Sequence, residues 1–339
     1  MMSLIIITTI AFIGISLNVN EIYQRFGTLP IYLIIFVNGL AVGLLGPSII
    51  AFSYQLVPSE LAASAAAWRS SAWQTAAVAG PAIGGLLYGF IGATGTYSVA
   101  ASFFFLGTLM LFFIPSRPPA SSSQNENIYE SLKKGIAFVF ENKIIFGALS
   151  LDLFAVLFGG AVAMLPVYAS DILRVGPEGL GILRAAPAIG AVLVALWMAH
   201  RPLAGKVGRK LFGVVIGFGL SIIVFGISKN MILSVFVLAL SGGFDSVSVI
   251  IRSTLLQLST PNSMRGRVEA VNMMFIGSSN QIGAFESGVA AKLMGVVTSV
   301  VFGGCMTLVS VAVTSKVAPV LGKLEYSDLE KSGRTMNEV

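Results

Sequence analysis

Apolar residues are gathered into long blocks along the chain, and short polar segments separate the blocks. A hydrocarbon core about 30 Å thick needs roughly 20 mostly apolar helical residues to cross it. Lipid offers the backbone no hydrogen bonds, so blocks of this length predict helices rather than open strands. The candidate spans are residues 2–18, 31–54, 67–90, 94–114, 144–168, 179–198, 210–228, 231–257, 265–292 and 294–316. The pattern predicts an all-α polytopic membrane protein with about ten transmembrane helices.

Two polar stretches divide this pattern. Residues 115–143 form the longest internal polar segment and are interpreted as a cytoplasmic linker. Within it, apolar residues recur at helical spacing over 128–141 and predict a helix on the inner membrane surface. Residues 317–339 predict a polar cytoplasmic tail. The resulting division is an incomplete bundle of four spans over 1–114 and a six-helix bundle over 144–316.

Composition and charge placement agree with a membrane location and indicate an orientation. Only 11% of the residues are charged and 55% are hydrophobic, whereas a soluble domain has about 25% charged residues. With a cytoplasmic N-terminus, Arg25, Arg174, Lys229 and Lys292 lie outside, Arg69, Arg184 and Arg252 lie within spans, and all the other basic residues lie inside. The positive-inside rule therefore favours cytoplasmic termini at both ends. It also accounts for the net charge of +6 without a nucleic-acid partner.

Several classes of chemistry are excluded by what the sequence lacks. Cys305 and His200 are the single cysteine and the single histidine, so a Cys/His metal site and an intrachain disulfide are excluded. No G-x-x-x-x-G-K-[ST] stretch is present, so the chain does not itself hydrolyse ATP to drive transport. No catalytic set can be assembled, and the sequence predicts neither an enzyme nor a cofactor.

The two bundles share an internal repeat. A shift of 203 residues places Pro58 on Pro261, Gly80 on Gly283, Gly85 on Gly288 and Gly92 on Gly295. Each Pro opens a short loop, and each Gly series runs through the following span. A parallel repeat of this kind is typical of transporters built from two homologous bundles related by an axis along the membrane normal. The alternative is chance matching between glycine-rich segments.

The first repeat carries a motif of small residues inside a span, which has two interpretations. Small residues permit close helix contact, and a proline in a helix removes a backbone donor and can kink it. The motif is therefore either a tight packing surface or a hinge that seals one gating state. Its members are Gly80, Pro81, Gly84 and Gly85.

Two short basic loops lie on the side predicted to be cytoplasmic. The first can form a tight turn whose cations contact acidic groups on neighbouring loops, or it can serve only as a positive-inside anchor. In the second, Glu269 follows Arg265 at i+4, so the two side chains can pair on one helix face. The loop residues singled out are Gly205, Gly208, Arg209 and Lys210 in the first loop and Arg265, Gly266 and Arg267 in the second.

Five ionisable residues fall within predicted spans: Asp152, Arg184, Asp245, Arg252 and Glu286. Such groups are costly in lipid and usually face a bundle interior or a water-filled cavity. Arg252 follows Asp245 by two helical turns, about 10.5 Å, so they share a face but are too far apart for a direct bond. Each acid is interpreted either as the structural partner of a cation such as Arg184 or Arg252, or as a group that couples protons or contacts substrate.

Two segments resemble the major facilitator superfamily, in its enterobactin-exporter-like branch of transmembrane secretion effectors. They are the Gly242-Gly243-Phe244-Asp245 segment through Gln257, and Pro261 through Gly288. The Gly80-Pro81 segment looks like the superfamily's antiporter motif, and the Gly205–Lys210 loop is similar to its loop signature without the usual acidic member. Family members have twelve spans in two halves of six. The resemblance therefore implies a major-facilitator-type fold in which this chain begins at the third span and lacks the first-half loop signature.

The resemblance implies a secondary active transporter in a bacterial inner membrane, surrounded by lipid and acting as a monomer. It would export a small molecule, siderophore-like or drug-like, by alternating access and proton antiport. The alternative is a truncated, non-transporting fragment or a scaffold. The four-plus-six arrangement further predicts that the chain transports poorly and that its first bundle is looser than its second. A substrate-panel efflux assay would separate these alternatives.

Overall fold

The computed structural model describes residues 2–17, 19–56, 62–114, 128–199, 205–261 and 264–327, which are almost entirely helical. No residue in these ranges lies in a β-strand. The helices are α1 (Met2–Leu17), α2 (Val19–Phe26), α3 (Leu29–Leu56), α4 (Ala62–Leu111), α5 (Ile128–Glu141), α6 (Lys143–Phe158), α7 (Ala161–Val167), α8 (Gly176–Ala199), α9 (Val207–Ile227), α10 (Met231–Leu258), α11 (Arg265–Met294), α12 (Val296–Val317) and α13 (Pro319–Lys323). A single π-helical turn, Tyr168–Ile172, continues α7.

The all-α membrane fold predicted from the apolar runs is confirmed. Six helical stretches of the described chain are long and apolar enough to cross a membrane: Ile83–Leu111, Lys143–Ile172, Gly176–Met198, Val207–Ile227, Met231–Leu258 and Val296–Val317. Shorter apolar helices cover Ile5–Ile15 and Leu29–Gly43. The helix α11 has 30 residues, long enough to span, but carries more polar side chains than the others. Within the described residues the predicted runs fall on helices, except that the run over 144–168 is broken after α6.

The chain forms two compact units, residues 1–123 and 124–339. In the first unit, α1 packs against α3 and against α4. The Asn38 side chain on α3 donates a hydrogen bond of 2.8 Å to Thr8 Oγ1 on α1. Between α1 and α4, the Phe12 ring stacks on the Tyr97 ring, and the ring centroids are 5.2 Å apart. Polar and aromatic contacts thus join three apolar helices whose outer faces are exposed.

The second unit is a bundle of α6 to α12, with α5 packed against α6 and α11. Its main helix pairs are α8 with α10, α9 with α10, α9 with α12, and α6 with both α11 and α12. Two asparagines begin spans: Asn142 accepts from the first backbone N–H groups of α6, and Asn230 does the same for α10. The predicted surface helix over 128–141 is present with those bounds, and its Val139 is fully buried against the bundle.

The internal repeat has a structural counterpart in each unit. The helix α4 starts at Ala62 and contains one non-helical residue, Gly92, with φ 67°. The helix α11 starts at Arg265 and ends at Gly295, whose φ is 87°, before α12 begins. Both starts and both glycines are separated by the same 203 residues. A positive φ suits glycine because it has no Cβ, which explains a glycine at the break in helical geometry in each unit. Superposition of the halves about an axis along the membrane normal stays a prediction.

The chain after α12 is packed on the bundle, which its polar composition did not predict. Leu321 is fully buried and Leu324 is 7% exposed, in a cluster with Val207 and Leu211 of α9. The Leu324 carbonyl accepts the Gly208 backbone N–H at 3.3 Å, which satisfies a free donor in the first turn of α9. The two apolar side chains explain why this part of the expected tail, as far as Tyr326, lies on the protein surface rather than away from it.

Gly208 should be required for this contact, because a Cβ there would overlap the Leu321 carbonyl oxygen. We expect Gly208→Ala to lower the free energy of unfolding by about 1–3 kcal/mol, the usual cost of forcing extra volume into a packed site. Gly213→Ala, on the same helix with no described atom within 4 Å of its Cβ, should be neutral or stabilising. Unfolding curves of the two variants in detergent provide the measurement. Equal curves would show that the contact with Leu321 does not require glycine at position 208.

The small-residue motif of the first unit has few described neighbours, so its two interpretations, a packing surface or a hinge, stay predictions. A Cβ added at Gly80 or Gly84 would meet no described atom within 4 Å. Gly80 is exposed, while Gly84 and Gly85 are half-buried. The side chain of Pro81 lies outside the described residues.

Candidate transport site

The second unit contains a half-open cavity of about 460 Å³ lined by the helices of its bundle. Five spans contribute to its wall, and most of the wall is apolar. The lining residues are Val156, Gly159, Gly160, Val162, Ala163, Arg184, Pro187, Phe218, Ile222, Leu238, Ser241, Gly242, Asp245, Asn280 and Ala284. Ligand sites in proteins are commonly clefts of about 300–1,000 Å³ with apolar walls and a few polar groups, and this cavity fits that description.

Two opposite charges line this cavity: Arg184 from α8 and Asp245 from α10. Both side chains are exposed, and neither makes a hydrogen bond or an ion pair with any residue that the structure describes. Asn280 from α11 adds an amide to the same wall. Charged groups in spans are tolerated where they meet water or each other. An unpaired cation and an unpaired anion in one cavity can therefore each bind a polar group of a ligand.

Close contact between α8 and α10 places these two residues. A Cβ at Gly190 of α8 would overlap the Ala239 carbonyl oxygen, and a Cβ at Gly242 of α10 would overlap the Pro187 carbonyl oxygen. Small residues permit such backbone approach between membrane helices. The Gly242-Gly243 pair in the segment that carried the family resemblance thus has a physical reason: it brings α10 against α8 one turn before Asp245.

The first span of the second unit is interrupted at the cavity. The apolar run over 144–168 predicted one continuous helix, but α6 ends at Phe158, Gly159 and Gly160 follow, and α7 begins at Ala161. The Gly160 carbonyl accepts the Ser287 hydroxyl of α11 at 3.5 Å. Irregular backbone at membrane depth occurs where it lines a cavity or is buried in protein. The glycine doublet inside an apolar run, followed by Pro166, was the available sequence signal for this break.

Two of the remaining three charges form a buried ion pair. Arg252 of α10 pairs with Asp152 of α6, and the two side chains are 6% and 7% exposed. Of the two cations considered as partners for Asp152, the structure therefore places Arg252 beside it. The Arg252 Nε atom is buried and has no hydrogen-bond partner within the described structure. Breaking such a pair by removing one member is strongly destabilising, because the remaining charge stays buried.

Glu286 lies apart from these groups. It is half-buried on α11 and is absent from the walls of the described cavities around Asp245. The structure therefore brings Arg184 and Asp245 to one cavity and pairs Asp152 with Arg252. It also adds Phe218, Ser241 and Asn280, which sequence reasoning did not single out. Glu286 does not join either group.

The loop residues lie at the ends of spans, away from the cavity. Gly205 has φ 69° and its carbonyl accepts the Tyr326 N–H at 3.0 Å, while Arg209 and Lys210 are exposed in the first turn of α9. In the second loop, Glu269 accepts from the Asn272 side chain at 3.2 Å, Gly266 is exposed, and Arg267 donates to the Met264 sulfur. The Arg265 side chain lies outside the described residues, so its predicted pairing with Glu269 stays a prediction.

Comparisons with known proteins place the chain among transporters. The model of the transmembrane secretion effector family matches residues 2–338. The enterobactin exporter of Shigella flexneri is 29% identical over 290 residues, which cover 86% of this chain and 68% of that protein. The enterobactin exporter of Escherichia coli O9:H4 (strain HS) is also 29% identical over 290 residues, with 86% and 69% covered.

Proposed function

Because the chain belongs to the transmembrane secretion effector family of the major facilitator superfamily, whose members are multi-pass membrane transporters and not enzymes, we propose that it exports a small molecule. The protein moves this molecule across the bacterial inner membrane by alternating access, and both termini of the chain lie in the cytoplasm. The cavity that the helices α6 to α11 line in the second unit is the proposed substrate site.

One observation carries this proposal: Arg184 and Asp245 face the same apolar-walled cavity without pairing with each other or with any other described residue. The wall, including Phe218 and Ile222, suits the apolar body of an amphipathic molecule. Arg184 binds an acidic or anionic group, and Asn280 donates and accepts hydrogen bonds. Asp245 either receives a donor from the substrate or carries the proton of an antiport cycle.

The substrate class follows from this wall and from the relatives. The matched relatives are named as exporters of enterobactin, and an anionic siderophore is the first candidate. A drug-like compound with a single acidic group fits the same requirements, since the wall offers one cation, one amide and a large apolar surface.

Transport into everted vesicles that contain the full chain tests the proposal against a panel of siderophores and of acidic, neutral and basic drugs. We expect Arg184→Gln to weaken binding of anionic compounds about 10-fold or more, because a charge-assisted hydrogen bond contributes about 1.5–3 kcal/mol. Neutral compounds should be affected less. Lys229→Gln removes an exposed cation between α9 and α10 and serves as the matched control.

Two outcomes would overturn the proposal. If Arg184→Gln reduced the transport of anionic and neutral compounds equally, the Arg184 cation would not contact the substrate. A folded wild-type chain that moves no compound of the panel would instead support the non-transporting membrane protein.

A further inference from the structure

A groove between α6 and α12, with a volume of about 400 Å³, lies on the outside of the second unit. It is separate from the larger cavity that Arg184 and Asp245 line, because the two share no lining residue. Its α6 wall contains Ser150 and Phe154, which lie on the opposite side of that helix from Asp152. Since Asp152 pairs with α10 inside the bundle, the groove opens away from the bundle interior.

Close contacts between the two helices close the groove on its inner side. A Cβ added at Gly147 of α6 would lie 3.0 Å from the Ala318 Cβ, and a Cβ added at Gly303 of α12 would overlap the backbone of α6. Between these two points the buried Thr307 hydroxyl donates to the Ala155 carbonyl at 3.3 Å. Small residues and one hydrogen bond thus hold α6 and α12 together along the groove.

The walls of the groove are mostly apolar and open to the surroundings. Along α6, the rings of Phe154 and Phe158 stack with centroids 6.5 Å apart. Along α12, Val313 and Val317 are exposed, and the Ser310 hydroxyl donates to a carbonyl of its own helix at 2.8 Å. The groove therefore offers contact surface to an apolar chain and few hydrogen bonds to a polar solute.

The length of the groove matches one leaflet of a bilayer. Its lining runs from Phe146 to Phe158 on α6 and from Met306 to Ala318 on α12. On each helix this is 12 residue steps, a rise of about 18 Å, and half of a hydrocarbon core is about 15 Å thick. One end lies where α6 begins and α12 ends. An acyl chain in the groove therefore reaches from the membrane surface to about the bilayer midplane.

Two lysines lie at the membrane-surface end of the groove. Lys143 begins α6 three residues before Phe146, and Lys316 follows Val313 by three residues in the last turn of α12, so each shares a face with the groove wall. Both are exposed, and neither forms a hydrogen bond or an ion pair with any residue that the structure describes. The nearest acid in sequence to Lys143, Glu141, ends α5 and does not line the groove. Basic sites between transmembrane helices at a membrane surface bind anionic lipid headgroups.

We propose that the groove between α6 and α12 binds one anionic phospholipid, with an acyl chain along the apolar walls and the phosphate at Lys143 and Lys316. The site differs from the general lipid-facing surface in its closed inner side, its length of one leaflet and the two cations at its end. A zwitterionic phospholipid supplies the same acyl chain but no net negative charge, so it gains less from the lysines. This inference goes beyond the proposed transport function and does not depend on it.

Native mass spectrometry of the full chain, released from detergent micelles, tests the proposal with phosphatidylglycerol and phosphatidylcholine of identical acyl chains. We expect phosphatidylglycerol to bind about 10-fold or more tightly, because two cations near the headgroup favour the anion. Lys143→Gln/Lys316→Gln should make the two affinities equal. Lys206→Gln/Arg209→Gln is the matched control, since it removes two exposed cations at the start of α9, on the same side of the unit, and should keep the preference.

A phosphatidylglycerol with a photoreactive diazirine at the end of its acyl chain tests the position of the site. Crosslinks should fall near Phe158 and Met306, at the inner end of the groove. Val313→Trp, which fills the groove with a larger side chain, should remove these crosslinks and weaken the binding of both lipids. Val297→Trp is the control, because Val297 is exposed near the other end of α12 and does not line the groove.

Equal affinities of wild type for the two lipids would overturn the proposal, as would a preference for phosphatidylglycerol that survives Lys143→Gln/Lys316→Gln. Crosslinks spread evenly over all spans would show surrounding lipid only. Absence of crosslinks from α6 and α12 would show that another segment or a second copy covers the groove. A chain that transports nothing but shows the expected lipid preference and crosslinks would refute the proposed function and leave this site standing.

Discussion

Asp245→Asn should abolish efflux driven by a proton gradient, down to the level of vesicles without the protein. The amide has nearly the size of the carboxylate but cannot take up a proton, and Asp245 lines the cavity proposed to bind substrate. Substrate binding and counterflow should persist, because exchange of substrate for substrate needs no net proton movement. The measurements are gradient-driven transport and counterflow of the best-transported compound in everted vesicles.

Glu286→Gln provides the comparison for this variant. Glu286 also lies in a span, but it is half-buried on α11 and lines neither described cavity next to Asp245. From sequence both acids were equal coupling candidates, whereas the structure favours Asp245. Efflux by Asp245→Asn with an unchanged dependence on the pH gradient would contradict the assignment. A larger loss of gradient-driven efflux in Glu286→Gln than in Asp245→Asn would instead assign proton coupling to Glu286 on α11.

The helices were predictable from sequence because lipid imposes both their length and their hydrogen bonding. The run 31–54 corresponds to Leu29–Leu56 and the run 231–257 to Met231–Leu258, with ends shifted by a few residues. Gly92 and Gly295 were found through the repeat, and their positive φ values explain why glycine stands there. Features set by membrane thickness and local backbone geometry are thus contained in short stretches of sequence.

Features that depend on which helices touch were not predictable in this way. Asp152 could have paired with Arg184 or Arg252, and packing of α6 against α10 decided between them. Gly80 and Gly242 lie in similar small-residue segments, yet only Gly242 meets another backbone in the described structure. The burial of Leu321 depends on a surface formed by α9, more than 100 residues earlier in the chain. Such outcomes require the arrangement of the whole bundle.

Arg252→Met should lower the free energy of unfolding by about 3–5 kcal/mol, the usual cost of leaving one member of a buried ion pair without its partner. Asp152 is then buried among apolar side chains of α6, α9 and α10 with no cation beside it. Arg184→Met, which removes an exposed and unpaired cation in the larger cavity, is the control and should cost at most about 1 kcal/mol. Unfolding curves in mixed micelles provide the measurement.

The double variant Asp152→Leu/Arg252→Met should recover much of this loss, because two apolar side chains replace two charges that both had to be desolvated. A double variant as unstable as the sum of the single variants would show that the two residues are not coupled. The single variants should also differ from each other. After Asp152→Leu, Arg252 still has Asp245 two turns earlier on the same helix, whereas after Arg252→Met neither carboxylate has a buried cation. Arg252→Met should therefore be the more damaging of the two, and the reverse order would argue that Asp245 does not share the cation.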